Sequence, residues 1–130
     1  MTSKQLDQVF NLTREKRELE KMLLEIPDIT AVRYDSIGVS NSGISSPVQK
    51  IAEQREKIRE LISMKLAEIS IAEREILEYI FSINDSQIRR IMRLRHIELK
   101  SWVQVANIIG GNNTADSVRM MHDRYLKEHQ

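Results

Sequence analysis

The sequence contains no cysteine, only two prolines and four glycines among 130 residues, and only 5% aromatic residues. Without cysteine the chain cannot form disulfide bonds, cysteine-ligated zinc sites or iron–sulfur clusters, and thiol catalysis is excluded. The scarcity of glycine and proline disfavours short strands with tight turns and favours long helices. Hydrophobic residues make up 41% of the chain, which is enough for a core and argues against general disorder.

The sequence also lacks a long apolar run, since none approaches the roughly 18 residues that a membrane span requires. Its start is polar, because Met1 leads into TSKQLDQ without the apolar region of a secretory signal. We therefore expect a soluble, cytoplasmic protein that has no membrane partner.

Groups suited to catalysis are equally sparse. The three histidines, His96, His122 and His129, are not spaced as a metal-binding pair with a third ligand. No glycine-rich phosphate loop follows a strand, because the sequence contains no convincing strand. We therefore expect a protein that is not an enzyme and that needs no cofactor or metal. His122 could touch a phosphate, but a helix-surface or partly packed position is the favoured interpretation.

Charge is nearly balanced over the whole chain but is unevenly distributed. Lysine and arginine number 20 and aspartate and glutamate 19, which gives a formal net charge of +1. Residues 1–86 contain 12 basic and 15 acidic residues, a net charge of −3, whereas residues 87–130 contain 8 basic and 4 acidic residues, a net charge of +4. The asymmetry fits either a nucleic-acid partner at the C-terminal end or chance unevenness in a charged helical protein.

The first predicted element is a helix over residues 3–26. Apolar residues recur there at spacings of three and four, as on one face of an amphipathic helix. They are Leu6, Val9, Phe10, Leu12, Leu19, Met22, Leu23 and Ile26. Ser3 is the candidate cap, and Pro27 ends the helix because proline disfavours helix in the residue before it. Residues 27–46 are rich in Ser, Asn, Asp and Gly, and we expect a loop there, either semi-ordered or mobile.

The cleanest periodicity marks a longer helix that starts after Ser46, with Pro47 at its first position. Its apolar seam follows steps of three and four over about five heptads. The seam residues are Val48, Ile51, Arg55, Ile58, Ile62, Lys65, Ile69, Ala72, Ile76, Tyr79 and Ile83. This helix would span roughly 54 Å and the first about 36 Å, so an antiparallel hairpin would leave residues 69–83 uncovered. Either the C-terminal third or a second chain must cover that part, and we favour a homodimer.

Two basic residues, Arg55 and Lys65, interrupt the seam. They either fix the register of the hairpin by pairing with carboxylates across the interface, or pack their apolar stems while the charged heads reach water. The second interpretation is favoured.

The C-terminal third predicts three short helices, each with its own cap and inward residues. The caps are Asn84 or Asp85 for the first helix, Ser101 with Gln104 for the second and Thr114 for the third, while Gly110 and Gly111 end the second. The inward positions are Ile88, Ile91, Met92 and Arg95, then Trp102, Val105, Ala106 and Ile109, then Val118, Met121, Tyr125 and Leu126. We expect Trp102 in the core rather than as a stacking platform for bases. The last two helices have the outline of a helix-turn-helix, although a short helical hairpin without a DNA role would share these features.

The segment HIELKSWVQVANIIGGNNTADSVRMMHDRYLKE resembles the promoter-reading C-terminal domain (region 4) of bacterial sigma factors. More closely, it resembles small phage-encoded proteins with that helix-turn-helix domain, including late-gene transcription activators. The likeness rests on R-x-x-x-x-x-S-W-x-x-V-A followed by S-V-R-M-M-H-x-R-Y-L. The segment ISSPVQKIAEQ also matches the small residues and P-V start that precede the domain in those proteins.

The resemblance implies that the last helix enters the major groove of duplex DNA, in a bacterial host cell. The base-facing positions are then Ala115, Asp116, Ser117 and Met120, with Arg119 beside them. Candidates for phosphate contacts are Arg119, Arg124, Lys127, Lys100, Ser101, Asn112, Asn113 and Thr114. The chain departs from the family, which usually places Arg, Glu and Gln at the base-facing sites, because Ala115 and Met120 cannot make bidentate base contacts. Arg89, Arg90 and Arg93 either add to the phosphate footprint or form a solvated face.

The sequence as a whole predicts an all-α protein with two parts. A long antiparallel helical hairpin over residues 1–83 would serve oligomerisation, and a sigma-like helix-turn-helix would occupy residues 84–130. We expect a DNA-binding transcription regulator of phage or prophage origin. Two alternatives stay open: a protein-interaction module that contacts RNA polymerase or another phage protein, and a phage DNA-packaging recognition subunit.

Overall fold

A computed structural model describes residues 1–26 and 47–129, and every regular element within these ranges is an α-helix. In chain order the helices are α1 (Ser3–Leu6), α2 (Gln8–Glu25), α3 (Pro47–Phe81), α4 (Ser86–His96), α5 (Trp102–Ile109) and α6 (Ala115–Glu128). The predicted all-α class is confirmed. The loop predicted at residues 27–46 lies outside the described residues.

Local capping explains where the first helix begins. The Thr2 hydroxyl accepts a hydrogen bond from the backbone N–H of Gln5, and the Gln5 side chain accepts one from the N–H of Thr2 at 2.9 Å. The cap is therefore Thr2 and not Ser3, because Gln5, three residues after Thr2, completes a capping box with it. A turn at Asp7 separates α1 from α2, and α3 begins at Pro47 as predicted.

The chain forms two compact packing units. The larger unit combines Met1–Leu12 with Glu68–Gln130, and the smaller unit is Thr13–Ala67. Helices α2 and α3 each contribute residues to both units. The domain boundary that the sequence places at residue 83 stays a prediction.

Two clusters of buried apolar side chains form the core of the larger unit. The first cluster joins residues 1–12, which we call the N-terminal segment, to α3, α4 and α6. Its buried members are Leu6, Val9, Ala72, Ile76, Ile80, Ile83, Ile88, Met92 and Leu126. The second cluster, between α4, α5 and α6, contains Ile91, Leu94, Val105, Ala106 and Val118.

The first cluster shows which parts of the chain cover residues 69–83 of the seam. Leu6 and Val9 are 0% and 1% exposed and belong to the same cluster as Ile76 and Ile80. Residues 69–83 are thus covered by the N-terminal segment and the C-terminal helices of the same chain, so this part of the seam gives no argument for a dimer.

In the smaller unit, α2 and α3 run in opposite directions. The Nζ atom of Lys65 lies 3.3 Å from a carboxylate oxygen of Glu15, and Arg55 donates hydrogen bonds of 3.4 Å to the carbonyls of Leu23 and Ile26. Lys65 therefore pairs with a carboxylate, against the favoured interpretation of its charge as solvated. Arg55 binds backbone carbonyls instead, because the last turn of a helix leaves such acceptors without intrahelical partners.

Candidate nucleic-acid interface

Helices α4, α5 and α6 pack against one another and form what we call the trihelical module. Val105 and Ala106 of α5 meet Val118 of α6 in the second cluster, and all three side chains are buried. Ala106, one of the predicted inward residues, has a small side chain that allows α5 and α6 to pack closely at this point. Met121, predicted as a second anchor of α6, is half-buried against both clusters.

The turn between α5 and α6 depends on two glycines and one side-chain hydrogen bond. Gly110 and Gly111 have φ angles of 79° and 67°, in the left-handed region that favours glycine. A Cβ at either position would meet nothing within 4 Å, so backbone conformation and not space requires glycine there. Asn113 donates a hydrogen bond of 2.9 Å from Nδ2 to the Gly110 carbonyl, which closes the turn.

The predicted caps of the trihelical module are confirmed. Asp85 caps α4 through the N–H groups of Gln87 and Ile88, and Ser101 caps α5 through a box with Gln104. Thr114 caps α6, since its hydroxyl accepts from the N–H of Ser117 at 3.1 Å while its own N–H donates to the Ser117 hydroxyl at 2.8 Å. The resemblance assigns the side chains of Ser101, Thr114 and Ser117 to DNA contacts. In the structure they form the capping hydrogen bonds of α5 and α6.

All twelve residues predicted to contact DNA lie at the surface of the trihelical module. The exposed ones are Ser101, Asn112, Thr114, Asp116, Arg119, Met120, Arg124 and Lys127. Lys100, Asn113, Ala115 and Ser117 are half-buried. The outer face of α6 is therefore open to solvent, and its inner face holds the buried side chains of Val118, His122 and Leu126.

The outer face of α6 carries charges of both signs. Arg119, Arg124 and Lys127 are basic, but Asp116 pairs with Arg119 at 3.4 Å. A negative charge in the first turn stabilises the helix through its dipole and repels an approaching phosphate. Asp123 and Glu128 are also exposed, so the three acidic residues of α6 balance its three basic residues, and the exposed cations at its C-terminal end are Arg124 and Lys127.

The arginines of α4 mostly bind parts of the protein itself. Arg89 donates to the carbonyl of Ile83 at 2.6 Å and Arg93 pairs with Glu98 at 2.8 Å. The contact of Arg89 is partly buried, so Arg89 is neither a solvated residue nor a free phosphate ligand, whereas the Arg93–Glu98 pair lies at the surface with the Arg93 side chain 46% exposed. Arg90 is exposed to solvent as well.

Trp102 occupies the core position that the sequence predicts. It is half-buried and packs against His122 with ring centroids 5.0 Å apart and an interplanar angle of 68°. The guanidinium of Arg95 covers its ring at 4.6 Å from the centroid. These contacts favour a packing role over base stacking.

A buried histidine pair is the feature that sequence reasoning missed. The Nε2 atoms of His96 and His122 lie 2.7 Å apart, and both side chains are 3% exposed. Burial first, then the charges of His122 and Arg95, lower the pKa of His96 from 6.5 to about 3. A phosphate contact by His122 is therefore wrong, because its ring does not reach the surface. The helical period was the available signal, since His122 stands four residues after Val118 and His96 four residues after Met92.

The described residues contain neither a metal-binding cluster nor a membrane-spanning helix. No group of three or more histidine, aspartate or glutamate side chains in residues 1–26 and 47–129 is arranged to hold a metal ion. Nor is any helix of that part of the chain both long and apolar enough to cross a membrane. No protein-family model matches the sequence, and comparison with curated proteins and with solved structures found no match.

Proposed function

We propose that this protein binds duplex DNA through a helix-turn-helix made of α5, the turn at residues 110–114 and α6, and that it regulates transcription in a phage or prophage. One observation carries the proposal: α6 is anchored by a buried inner face, while the outer face of the same helix is open to solvent. A recognition helix needs this arrangement, because its outer residues must enter a groove without unfolding the module.

The residues on the outer face favour phosphate contacts over base reading. Arg124 and Lys127 are exposed cations near the C-terminal end of α6, where they lie next to the DNA backbone when the N-terminal end is in the groove. Asp116 and Met120, at the base-facing positions, offer no hydrogen-bond donor to a base edge. We therefore propose binding that is strongly salt-dependent and weakly sequence-specific.

Fluorescence anisotropy with a labelled duplex tests this proposal directly. The double variant Arg124→Ala/Lys127→Ala should weaken binding and should reduce the slope of log K against log salt by about 2, since each lost phosphate contact removes roughly 0.9. The matched control is Arg17→Ala/Lys21→Ala, which removes two exposed cations from α2. Equal effects of both variants would mean that only net charge matters. Absence of binding at low salt would refute the proposal.

A protein-interaction function is the second candidate, and exposed apolar side chains favour it. Val103 and Ile108 of α5 are 61% and 47% exposed, and Met120 of α6 is 55% exposed. Apolar side chains at these positions suit a protein surface better than a phosphate backbone. Recovery of RNA polymerase on the immobilised protein, without measurable DNA affinity, would support this candidate over the first.

The oligomeric state bears on the remaining alternative. The antiparallel contacts of α2 and α3 within one chain support the proposed helical hairpin, and a homodimer through its outer surface stays part of the proposal. Light scattering that gives the mass of two chains would support a regulator that reads two half-sites. A ring-sized assembly would instead favour the DNA-packaging subunit.

A further inference from the structure

The outer side of α3 carries four exposed side chains near its C-terminal end, which we call the outer stripe. They follow steps of three, four and three, which place them on one side of the helix. The members are Ile71, Arg74, Glu78 and Phe81. We propose that the outer stripe binds the outer stripe of a second copy of this chain in antiparallel orientation. The inference rests on the homodimer of the proposed function, whose surface it names, and does not depend on DNA binding.

The two ends of the outer stripe are apolar and lie largely in water. Ile71 is 60% exposed and Phe81 is 72% exposed, whereas Ile76 between them is buried in the first cluster on the other side of α3. A single exposed apolar side chain is common at a protein surface. Two of them that flank a pair of opposite charges form a pattern that can be complementary to itself, as the surface of a two-fold symmetric dimer must be.

A two-fold axis that crosses α3 at the level of residue 76 gives the outer stripe this complementarity. In an antiparallel pair of helices, a residue before the axis contacts the residue of the second copy that lies the same number of positions after it. Ile71 and Phe81 are each five positions from residue 76, so they contact each other across the interface. Arg74 and Glu78 are each two positions from it, so they form an ion pair across the interface. The symmetry produces each contact twice.

Charge complementarity favours this orientation and this register over the other arrangements of two copies. Among the described residues, neither Arg74 nor Glu78 has an ion-pair partner within its own chain. A parallel pair in register would place each of these residues against its own copy, and like charges repel. An antiparallel pair shifted by one heptad would place Arg74 against Ile71 or Glu78 against Phe81, which leaves the charges without partners.

The length of the outer stripe determines how strong the dimer can be. From Ile71 to Phe81 the stripe extends over about 15 Å of helix. Such a contact buries less surface than the roughly 1,200 Å² of a standard stable interface, so the dimer belongs to the weak, reversible class. We expect a dissociation constant of roughly 10–100 μM. A dilute solution of the protein would then contain mainly monomers.

Sedimentation equilibrium of the full chain without DNA, from roughly 5 to roughly 500 μM, tests the proposed dimer. Arg74→Glu and Glu78→Arg should each raise the dissociation constant about tenfold, because two attractive pairs become two repulsive ones. The double variant Arg74→Glu/Glu78→Arg should return it to within about threefold of the original, since each pair again joins opposite charges. The matched control is Lys50→Glu, which makes the same charge change at an exposed position 24 residues earlier in α3 and should alter the constant less than about twofold.

The outcomes separate this inference from the proposal of DNA binding. All the substituted residues are exposed, and circular dichroism checks that each variant keeps its helices. A chain that stays monomeric at roughly 500 μM would overturn the inference. So would a dimer that the single charge variants do not weaken, or one that the double variant does not restore. None of these results involves DNA, whose binding is measured separately by anisotropy.

Disulfide cross-linking tests the register, because the chain contains no cysteine of its own. An equal mixture of the variants Ile71→Cys and Phe81→Cys should form mainly disulfides that join one variant to the other, since these two positions meet across the interface. Two chains of the same variant should not link, because their thiols would lie about 15 Å apart along the helix axis, too far for a disulfide. Mass spectrometry of the oxidised dimers distinguishes the products. An excess of links between identical variants would contradict the antiparallel register.

Discussion

The guanidinium group of Arg95 lies over the indole ring of Trp102, with its Cζ 4.6 Å from the ring centroid. The same group donates a hydrogen bond of 3.0 Å to the carbonyl of Lys100. Arg95 therefore joins the end of α4 to the start of α5. Its charge stabilises the trihelical module from within and is not free to bind a phosphate.

Replacing Arg95 should lower the stability of the protein. Arg95→Lys keeps the charge but loses the planar group that stacks and donates at once, and we expect a loss of about 1–2 kcal/mol in the free energy of unfolding. Urea denaturation followed by Trp102 fluorescence measures it. Arg90→Lys, at an exposed position of the same helix, should change stability by less than about 0.5 kcal/mol. Equal losses in both variants would contradict the role given to Arg95.

The stability of the protein should fall in acid because of His96. Its pKa of about 3 in the folded chain lies below the 6.5 of an unfolded histidine, so between these values only the unfolded chain binds a proton at this site. The stabilisation is complete above about pH 6.5 and declines toward pH 3 at no more than about 1.4 kcal/mol per pH unit, which is about 2 kcal/mol by pH 5. Urea midpoints across this range measure the slope.

Two variants separate His96 from the other titrating groups. His96→Gln should flatten the pH dependence of the urea midpoint, because the group whose pKa differs between the folded and unfolded chain is gone. His129→Gln removes an exposed histidine and should leave the dependence as it is. An unchanged slope in His96→Gln would show that other residues cause the acid sensitivity.

Sequence reasoning succeeded where the cause is local. All the seam residues are buried or half-buried, and the caps at Asp85, Ser101 and Thr114 stand as predicted. A helical period and a capping box are set by residues three or four apart, so the sequence displays them directly. The sequence also held the signal for Thr2, because Gln5 stands three residues after Thr2 whereas Leu6 stands three residues after Ser3.

Contacts between distant parts of the chain were not predictable in this way. The period marks Leu6 as inward but does not say that it covers Ile76 and Ile80 seventy residues later. Similarly, the arginine-rich sequence of α4 indicates a phosphate-binding surface, but Arg89 and Arg95 donate hydrogen bonds to backbone carbonyls of the same chain. For the proposed DNA site, the sequence predicted residues that lie at the surface of the trihelical module. It did not show which of their side chains form helix-capping hydrogen bonds.

Because the N-terminal segment covers residues 69–83, we expect substitutions at the covered positions of α3 to lower stability more than substitutions at its exposed positions. Ile76 is 1% exposed, and Ile76→Ala should cost about 2–5 kcal/mol because it leaves a cavity in the first cluster. Ile71→Ala makes the same chemical change on the same helix, where the side chain is 60% exposed, and should cost less than about 0.5 kcal/mol. Chemical denaturation of both variants compares them. Similar costs would mean that residues 69–83 are not covered as described.

The backbone conformation at Leu99 predicts that glycine is a more stable replacement than alanine at this position. Leu99 has a φ angle of 57°, which costs a residue with a Cβ about 1–2 kcal/mol, and its side chain packs on the first cluster. Both Leu99→Gly and Leu99→Ala lose that packing, but only glycine relieves the strain, so we expect the glycine variant to be more stable by about 1 kcal/mol. At Ala67, inside α3, Ala67→Gly should instead destabilise by about 1 kcal/mol. Thermal denaturation of the three variants tests the reversal.

Asp116 should affect DNA affinity and helix stability in opposite directions. Asp116→Asn frees Arg119 from its 3.4 Å ion pair and removes a charge that repels phosphate, so under the proposed function anisotropy at low salt should show binding about threefold to tenfold tighter. The same change removes an acidic residue from the first turn of α6, which should cost about 0.3–1 kcal/mol of stability. Glu128→Gln removes an equal charge at the other end of α6, where a negative charge opposes the dipole, so stability should not fall and affinity should rise less. If both variants tighten binding equally, the N-terminal end of α6 does not face the DNA.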